Sequence, residues 1–355
     1  MKIAVIIFLT LLSSPILFSQ ENLNRELENM ISHVVKDFPD QSELSFAFVT
    51  NDSIYFKGIR KSNSETEWVE NKNNHFEIGS LTKVFTATLL SIAHFDNDLK
   101  LEQNINKALP FKIKDKNKIS YKSLANHTSG LPRMSPDLFY NAMQSPENPY
   151  KNYSENDFEK YLQEDLTLEN KAGEKYVYSN TGYGLLANAL SHYLENDFDS
   201  LLHFLIFEKY NMSNTTFSRE NVDTTLVKGR DKDGFKTQNW EFNALKGAGG
   251  IYSTTSDLSK FATAHLNSDD PSLTLTKKKT FDIKGDFGIG LAWHIIKNED
   301  DTIYWHNGGT GGYTSSFSMN NDAAVIILSN ISALGKHNKQ IDPLCFELLK
   351  KMKSK

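Results

Sequence analysis

Apolar residues recur along the chain with two different spacings, which predict where helices and strands lie. Residues 44–49 and 54–59 are short runs rich in β-branched and aromatic side chains, joined by the polar sequence Thr-Asn-Asp-Ser, which is typical of a hairpin. Residues 81–92 carry apolar side chains three and four apart, the spacing of one buried helix face. Similar helical spacing is found in 21–38 and 341–351. The N-terminal part is therefore predicted to combine strands with helices, and a helix is predicted to end the chain.

The middle of the chain is predicted to be mainly helical, with long polar loops. Helical patterns recur there in four stretches, 121–126, 158–166, 182–193 and 201–210, and a further helix is predicted later, at 255–264. Residues 133–153 are rich in Pro and Asn and lack periodicity, which predicts a loop that borders a pocket.

Strand-like patterns return towards the C-terminus, in 287–296, 302–306, 314–319 and 323–329. Strands thus come from both ends of the chain and helices from its middle. This order predicts an α+β fold, with a mostly antiparallel sheet flanked by the terminal helices and an inserted all-helical domain. We expect the sheet part to cover about 21–97 and 245–355 and the helical part about 98–244.

Residues 1–19 have the pattern of a secretory signal peptide. Lys2 provides a positive start, 3–12 is an apolar run, and Ser13-Ser14-Pro15 interrupts it before a cleavage region at Ser19-Gln20. The alternative is an uncleaved membrane anchor, but the interrupted run is short for a span of about 20 residues. We therefore expect an exported protein, periplasmic or extracellular, with no stable membrane span after cleavage.

Composition limits the classes of function. Of the 355 residues, 39% are hydrophobic and 23% charged, as in an ordinary globular protein. The net charge of −5, with scattered lysines, argues against a nucleic-acid partner. The single cysteine, Cys345, excludes an internal disulfide and lies in an apolar helical pattern typical of a core residue. Ten histidines occur without a metal-binding spacing such as His-Glu-x-x-His, so no metal or cofactor is predicted.

Ser80 and Lys83 form the first candidate for chemistry. Three residues apart at the start of a predicted helix, they lie on one helix face, one turn apart. A serine hydroxyl needs a neighbouring base to attack at neutral pH, and a lysine whose pKa is lowered by burial can be that base. By itself this four-residue pattern is more typical of a solvated helix start. The apolar helix that follows favours the catalytic interpretation, because it would bury the Lys83 stem.

Tyr178-Ser-Asn180 is the second candidate, before the predicted helix 182–193. A phenol near a lysine can act as acid or base, and an Asn amide can hold a substrate carbonyl. The same Tyr-x-Asn pattern occurs at Tyr150-Lys-Asn152, within the predicted loop, so we prefer Tyr178. The alternative interpretation is a core aromatic at Tyr178 and a helix cap at Asn180.

The third candidate is the glycine-rich stretch 305–313, between two predicted strands. Glycines in strands often mark the close approach of another backbone or a ligand. His306 in this stretch could donate a hydrogen bond or carry charge beside Lys83 and Tyr178. The alternative is a glycine-rich hairpin turn without chemistry.

Together, these motifs resemble those of the serine β-lactamase and penicillin-binding-protein family, closest to class C β-lactamases and related DD-peptidases and esterases. The matching motifs are Ser80-Leu-Thr-Lys83, Tyr178-Ser-Asn180 and His306-Asn-Gly308, supported by 126–132, 178–186 and 247–258. The similarity runs from about residue 44 to about residue 330, in the expected order. It implies the β-lactamase/DD-peptidase fold and an acyl-enzyme mechanism.

The resemblance implies a role for each matching residue. Ser80 would be the acylated nucleophile and Lys83 its base. Tyr178 would relay the proton to the leaving group, and Asn180 would orient the substrate amide. The backbone N–H groups of Ser80 and Gly309 would form the oxyanion hole. The implied substrate-binding residues are, in full, Asn180, His306, Gly308 and Gly309.

His306 departs from the family pattern, which has lysine in the usual Lys-Thr-Gly triplet. That lysine helps to bind the carboxylate of penicillins and of peptide C-termini, whereas a histidine is at most partly charged near pH 7. The departure leaves acyl transfer itself intact. From the motifs as a whole we expect a serine hydrolase acting on β-lactams or D-Ala-type peptides. The alternatives are an esterase or D-aminopeptidase of the same fold that does not turn over β-lactams, or a catalytically silent penicillin-binding-like protein.

Overall fold

Eleven strands and eleven α-helices are found among residues 15–115, 118–299 and 301–353, which the computed structural model describes, apart from the side chains of 15–21. The strands are β1 (Glu43–Thr50), β2 (Ile54–Ser62), β3 (Glu65–Val69), β4 (Phe76–Glu77), β5 (Tyr252–Ser253), β6 (Phe281–Lys284), β7 (Phe287–Ile289), β8 (His294–Lys297), β9 (Thr302–Gly309), β10 (Thr314–Met319) and β11 (Ala323–Ser329). The helices are α1 (Pro15–Val35), α2 (Thr82–Asp96), α3 (Tyr121–Ala125), α4 (Pro136–Gln144), α5 (Glu155–Lys160), α6 (Asn180–Tyr193), α7 (Phe198–Leu202), α8 (Lys246–Gly249), α9 (Thr255–Asn267), α10 (Pro271–Lys277) and α11 (Ile341–Lys353).

A nine-stranded antiparallel sheet forms the centre of the fold. Its strand order is β3-β2-β1-β11-β10-β9-β8-β7-β6, while β4 and β5 form a separate pair. The two ends of the chain meet in this sheet, because β1 pairs with β11 from Leu44 opposite Ser329 to Thr50 opposite Ala323. The predicted α+β fold with an antiparallel sheet is confirmed.

The sequence of β11 explains why both faces of the sheet are covered. Every residue of this strand is buried, and its side chains alternate between two cores. Val325 and Ile327 pack in the smaller core with α1 and α11. Ala324 and Ile326 belong to the larger core on the other face, with residues of α2, α6 and α9. The terminal helices therefore cover one face, as predicted, and Cys345 in α11 is a fully buried member of the smaller core.

The predicted hairpin of β1 and β2 is confirmed, as are the predicted helices at α2, α3, α6, α9 and α11. The prediction of a plain loop at 133–153 is wrong, because that stretch contains α4. Ser135 caps this helix and Pro136 begins it, a start signal that the lack of apolar periodicity concealed. The strand predicted at 287–296 is two strands, since 290–293 leaves the sheet between β7 and β8.

The glycine-rich stretch is part of a strand rather than a turn between strands. Strand β9 continues through His306 to Gly309, and the turn to β10 lies at 310–313. The predicted strand 302–306 is therefore too short, because β9 continues through Gly308 and Gly309.

The predicted signal peptide falls largely on residues 1–14, which lie outside the described part of the chain. Among the described residues, no helix combines the length and the apolar character needed to cross a bilayer. The predicted division into a sheet part and a helical part stays a prediction. Strands β1 to β4 precede residue 98 and β5 to β11 follow residue 244.

Candidate active site

Ser80 lies in a tight 3-10 turn, Gly79–Leu81, that leads directly into α2. Gly79 has a positive φ of 50°, a conformation that side chains other than glycine rarely adopt. A Cβ at Gly79 would also lie 2.5 Å from the backbone nitrogen of Gly309. The end of β9 therefore runs directly against the turn that carries Ser80, and only glycine permits this approach.

Lys83 is fully buried one turn after Ser80 and has three polar neighbours. Its Nζ lies 3.0 Å from Ser80 Oγ, 2.9 Å from Asn180 Oδ1 and 2.7 Å from the carbonyl oxygen of Ala248. Burial, aided by the positive charge of Arg133, holds the pKa of Lys83 well below its ordinary value of 10.5.

The neighbours of Lys83 direct its lone pair once the amine is neutral. The amide oxygen of Asn180 and the Ala248 carbonyl can only accept, so each takes one N–H of the amine. The remaining direction faces Ser80 Oγ, whose hydroxyl can then donate to the nitrogen. This arrangement suits Lys83 to accept the Ser80 proton.

The Tyr178 side chain lines the cleft beside Ser80 and Lys83. Burial of the hydroxyl raises the pKa of Tyr178 to about 12. The interaction of the phenol with the Ser80 side chain and the positive charge of Arg133 act in the opposite direction and lower this pKa. Lys83 Nζ and the Arg133 guanidinium each lie 5.0 Å from the ring centroid. The phenol is thus protonated at neutral pH and able to donate a proton close to Ser80.

Asn180 is the first residue of α6, preceded by the capping residue Ser179. Its Oδ1 accepts from Lys83, and its Nδ2 donates to the hydroxyl of Tyr150 at 2.8 Å. Sequence reasoning set Tyr150 aside in favour of Tyr178, yet the fold brings both tyrosines to the site. Tyr150 therefore belongs to it as a partner of Asn180, a contact that the Tyr-x-Asn spacing did not indicate.

Gly308 and Gly309 bring β9 against the Ser80 turn. A Cβ at Gly308 would lie 1.9 Å from the carbonyl oxygen of Ile78, which also accepts a 2.8 Å hydrogen bond from Ser315 Oγ. The expectation that these glycines mark the close approach of another backbone is confirmed. The approach places the amide of Gly309 beside Ser80.

His306 is fully buried on β9 and interacts with its neighbours rather than with solvent. Its Nδ1 lies 2.6 Å from the carbonyl oxygen of Asn307, and its ring centroid lies 6.4 Å from that of Tyr178. Burial, with the nearby His294 and Lys83, lowers the pKa of His306 well below 6.5. This imidazole is neutral at neutral pH, so the suggestion that it carries charge is not supported.

The three motifs open into one cleft of about 840 Å³. Residues 133–153 border it, as predicted, through side chains that include Met134 and Phe139. Two groups of aromatic rings line the cleft: Tyr150, Trp240 and Phe242 on one part, and Tyr176, Phe287, His294 and Trp305 on another. Among the described residues, no cluster of three or more His, Cys, Asp or Glu side chains is arranged to hold a metal ion.

Glu77, three residues before Ser80, ties the strand β4 to the segment 239–240. Its Oε1 accepts from the Asn239 amide and from the Trp240 backbone N–H, at 3.0 Å for the latter. Burial raises the pKa of Glu77 to about 7, despite these hydrogen bonds. Charge on this carboxyl is therefore disfavoured by the fold.

Glu77→Gln is expected to remove a pH dependence of stability. A carboxyl whose folded-state pKa is raised stabilises the fold below its unfolded pKa, and this contribution is lost as pH rises through about 7. Between pH 4.5 and 8 the wild type should thus lose up to about 3 kcal/mol of unfolding free energy relative to the variant. Urea unfolding of the wild type and of Glu77→Gln at several pH values measures this difference in unfolding free energy. Glu65→Gln, at an exposed position, is the control. Parallel curves for all three would contradict it.

Comparison with known proteins agrees with this fold. The family model described as Beta-lactamase matches residues 32–344. A β-lactamase from Pseudomonas fluorescens is 27% identical over 249 residues, covering 68% of this chain and 65% of the relative. The D-alanyl-D-alanine-carboxypeptidase/endopeptidase AmpH from Escherichia coli K12 is 28% identical over 266 residues, covering 68% of this chain and 66% of the relative. The matched regions thus span slightly less than two thirds of either relative.

A solved structure of similar fold is the β-lactamase/D-alanine carboxypeptidase from Yersinia pestis, complexed with citrate. It superposes with a TM-score of 0.77 at 22% identity, covering 93% of this chain and 99% of that one. The fold is therefore that of the β-lactamase and D-alanine carboxypeptidase structures. The chain belongs to the β-lactamase family, which confirms the predicted resemblance.

Proposed function

We propose that this protein is an exported serine hydrolase that forms an acyl-enzyme at Ser80. The observation that carries this proposal is the set of contacts around Lys83. Two acceptor-only oxygens, from Asn180 and Ala248, leave the lone pair of the neutral amine facing Ser80 Oγ. A buried amine of lowered pKa in that orientation is suited to general-base catalysis.

In acylation, Ser80 Oγ attacks the acyl carbon while its proton passes to Lys83 Nζ. The carbonyl electron pair moves onto oxygen, and the N–H groups of Ser80 and Gly309 stabilise that oxyanion. When the intermediate collapses, the bond to the leaving group breaks. The leaving group takes the Tyr178 proton, and the Lys83 ammonium returns a proton to the phenolate. Water then hydrolyses the Ser80 ester, with the same groups moving the proton in reverse.

Asn180 is proposed to orient the substrate amide, with its own geometry set by Lys83 and Tyr150. Gly308 serves by allowing β9 to approach Ile78, so that Gly309 stands beside Ser80. These roles are consistent with substrates that contain an acyl group next to an amide, as in β-lactams and D-Ala-type peptides. The names of the two relatives, a β-lactamase and a carboxypeptidase, support this class of substrate.

An esterase or D-aminopeptidase is the second candidate, and the neutral His306 favours it. The proton-transfer groups Ser80, Lys83 and Tyr178 do not depend on the charge of residue 306, whereas binding of a carboxylate would be helped by it. Acyl transfer is therefore compatible with either candidate, and the charge of the substrate separates them.

The intact mass of the mature protein after incubation with a penicillin tests the proposal, with Ser80→Ala as control. A Ser80-dependent adduct, or Ser80-dependent loss of intact drug, supports recognition of β-lactams. Persistence of the adduct indicates a peptidase-like enzyme, and its rapid loss a β-lactamase. Absence of both, together with Ser80-dependent cleavage of aryl esters, would leave the second candidate. No Ser80-dependent reaction with penicillin, ester or fluorophosphonate would contradict the proposed hydrolase.

Tyr178→Phe is expected to lower kcat/KM by about 10²–10³, because it removes the proton donor near Ser80 while keeping the ring. Tyr150→Phe is the matched comparison, since it deletes the other tyrosine hydroxyl and loses only the hydrogen bond from Asn180. We expect its effect to stay within about tenfold, as for one neutral hydrogen bond. Steady-state kinetics with one ester substrate measure both, and a larger loss in Tyr150→Phe would reverse the assignment.

A further inference from the structure

An acidic side chain stands where β9 meets the start of α11. Asp342, in the first turn of α11, lines the same cleft as Ser80. Its Oδ2 accepts a 2.6 Å hydrogen bond from Asn307 Nδ2, and its Oδ1 accepts a 3.3 Å bond from Trp305 Nε1. Both donors lie on β9, on either side of His306. The Asp342 carboxylate thus already accepts hydrogen bonds from the side-chain donors that β9 presents to the cleft.

The donors indicate that Asp342 is an acceptor through both oxygens, as an ionised carboxylate is. Partial burial raises its pKa, while hydrogen bonds from Ser316, Asn307 and Trp305 oppose that change. Among the described residues, no Lys, Arg or His pairs with Asp342 within 4 Å. Its negative charge is therefore held by neutral donors and faces the cleft uncompensated by a direct ion pair.

The other charged groups of the cleft are Arg133 and Lys339. Arg133 lies over the Tyr178 ring, on the part of the wall formed by 133–153. Lys339 is an exposed side chain on the rim, three residues before Asp342. His306 between the two donors is neutral. The β9–α11 end of the cleft therefore presents a partly buried carboxylate, while the neutral His306 is fully buried and does not line it.

We infer that Asp342 is a specificity residue, which makes the β9–α11 end of the cleft a subsite for uncharged or cationic leaving groups and excludes carboxylates. A substrate carboxylate there would compete with Asp342 for the Asn307 amide and would meet a like charge in a partly desolvated cleft. Because Asn180 orients the amide on the acyl side of the substrate in the proposed mechanism, we assign the β9–α11 end of the cleft to the leaving group. The inference rests on the proposed function.

Two aryl esters of phenylacetic acid form a matched test. The leaving group of one is 3-hydroxybenzoate, an anion, and that of the other is 3-hydroxybenzamide, its neutral counterpart. We expect the wild type to cleave the neutral ester with the higher kcat/KM. Asp342→Asn should raise the ratio of anionic to neutral kcat/KM by about tenfold or more, because it removes the like charge and keeps the size of the side chain.

Glu347→Gln is the matched control, since Glu347 is an exposed acid of the same helix that does not line this cleft. It should leave the ratio at the wild-type value. An unchanged ratio in Asp342→Asn would overturn the inference. So would a wild-type preference for the anionic ester, and loss of that preference in Lys339→Gln would identify Lys339 as its cause.

Two further outcomes separate this inference from the proposed function. A second pair of esters carries the carboxylate, or its neutral counterpart, on the acyl group instead. If Asp342→Asn changes the ratio of anionic to neutral kcat/KM only for this second pair, the subsite binds the acyl group rather than the leaving group, and the inference fails. If the wild type cleaves neither ester in a Ser80-dependent manner, the proposed hydrolase is itself wrong, and the inference falls with it. Ser80-dependent cleavage with an unmoved ratio contradicts the inference alone.

Discussion

Ser80→Ala is expected to abolish turnover of every substrate, with a loss on the order of 10⁴–10⁶ in kcat, because it removes the proposed nucleophile. The fold should be retained. Ser80 is only partly buried, and the polar contacts of Lys83 with Asn180 and Ala248 do not depend on it. Single-turnover kinetics and labelling by a fluorophosphonate measure the chemical loss, and thermal unfolding monitors the fold.

Ser91→Ala is a suitable control for this change, since Ser91 is a buried serine of α2, the helix that follows Ser80, and lies outside the cleft. It should keep both the labelling and the turnover. Turnover near the wild-type level in Ser80→Ala would exclude Ser80 as the nucleophile. Loss of labelling in both variants would instead indicate that the substitutions unfold α2. Circular dichroism would then show a loss of helix content.

Lys83→Met is expected to lower kcat/KM by about 10³, the contribution of a well-placed general base. The sign of the pH dependence follows from the lowered pKa of Lys83, whose active form is the neutral amine. Wild-type kcat/KM should rise with pH as this amine loses its proton, at a pH well below 10.5. The Lys83→Met variant should lose this rise with pH and keep a low residual activity that does not depend on pH.

Lys83→Arg separates base from charge at this position. Arginine keeps the positive charge but stays protonated, so it cannot take the Ser80 proton. We expect it to be as inactive as Lys83→Met. Activity retained in Lys83→Arg, or an ascending limb retained in Lys83→Met, would show that the base is another group. The remaining candidate near Ser80 would then be Tyr178, whose pKa of about 12 makes it a poor base at neutral pH.

The parts of the site that sequence reasoning identified are those in which the chemistry lies close together along the chain. Ser80 and Lys83 are three residues apart, so the helical period alone brings them to one face. Tyr178 and Asn180 flank Ser179, whose side chain caps α6 with a 2.8 Å bond from the N–H of Gly182. In both motifs the local backbone sets the geometry, and local backbone follows from short sequence patterns.

Contacts between distant segments could not be inferred in this way. The hydrogen bond between Asn180 and Tyr150 spans 30 residues, and that between Asn307 and Asp342 spans 35. Asp342 is part of no motif, because a lone acid at a helix start is common and is favoured there by the helix dipole alone. Its neighbours on β9 are decided by how α11 packs on the sheet.

By itself, the sequence determined that 323–329 is a strand, which helices cover the sheet, and the candidate residues for proton transfer at Ser80. These follow from periodicity and from short motifs, in which covalent spacing restricts the geometry. Only the tertiary structure decided that β9 continues through its glycines, that His306 is buried and neutral, and that Asp342 faces the cleft. The physical reason is that burial, and with it the pKa of a side chain, depends on segments packed against it from elsewhere in the chain.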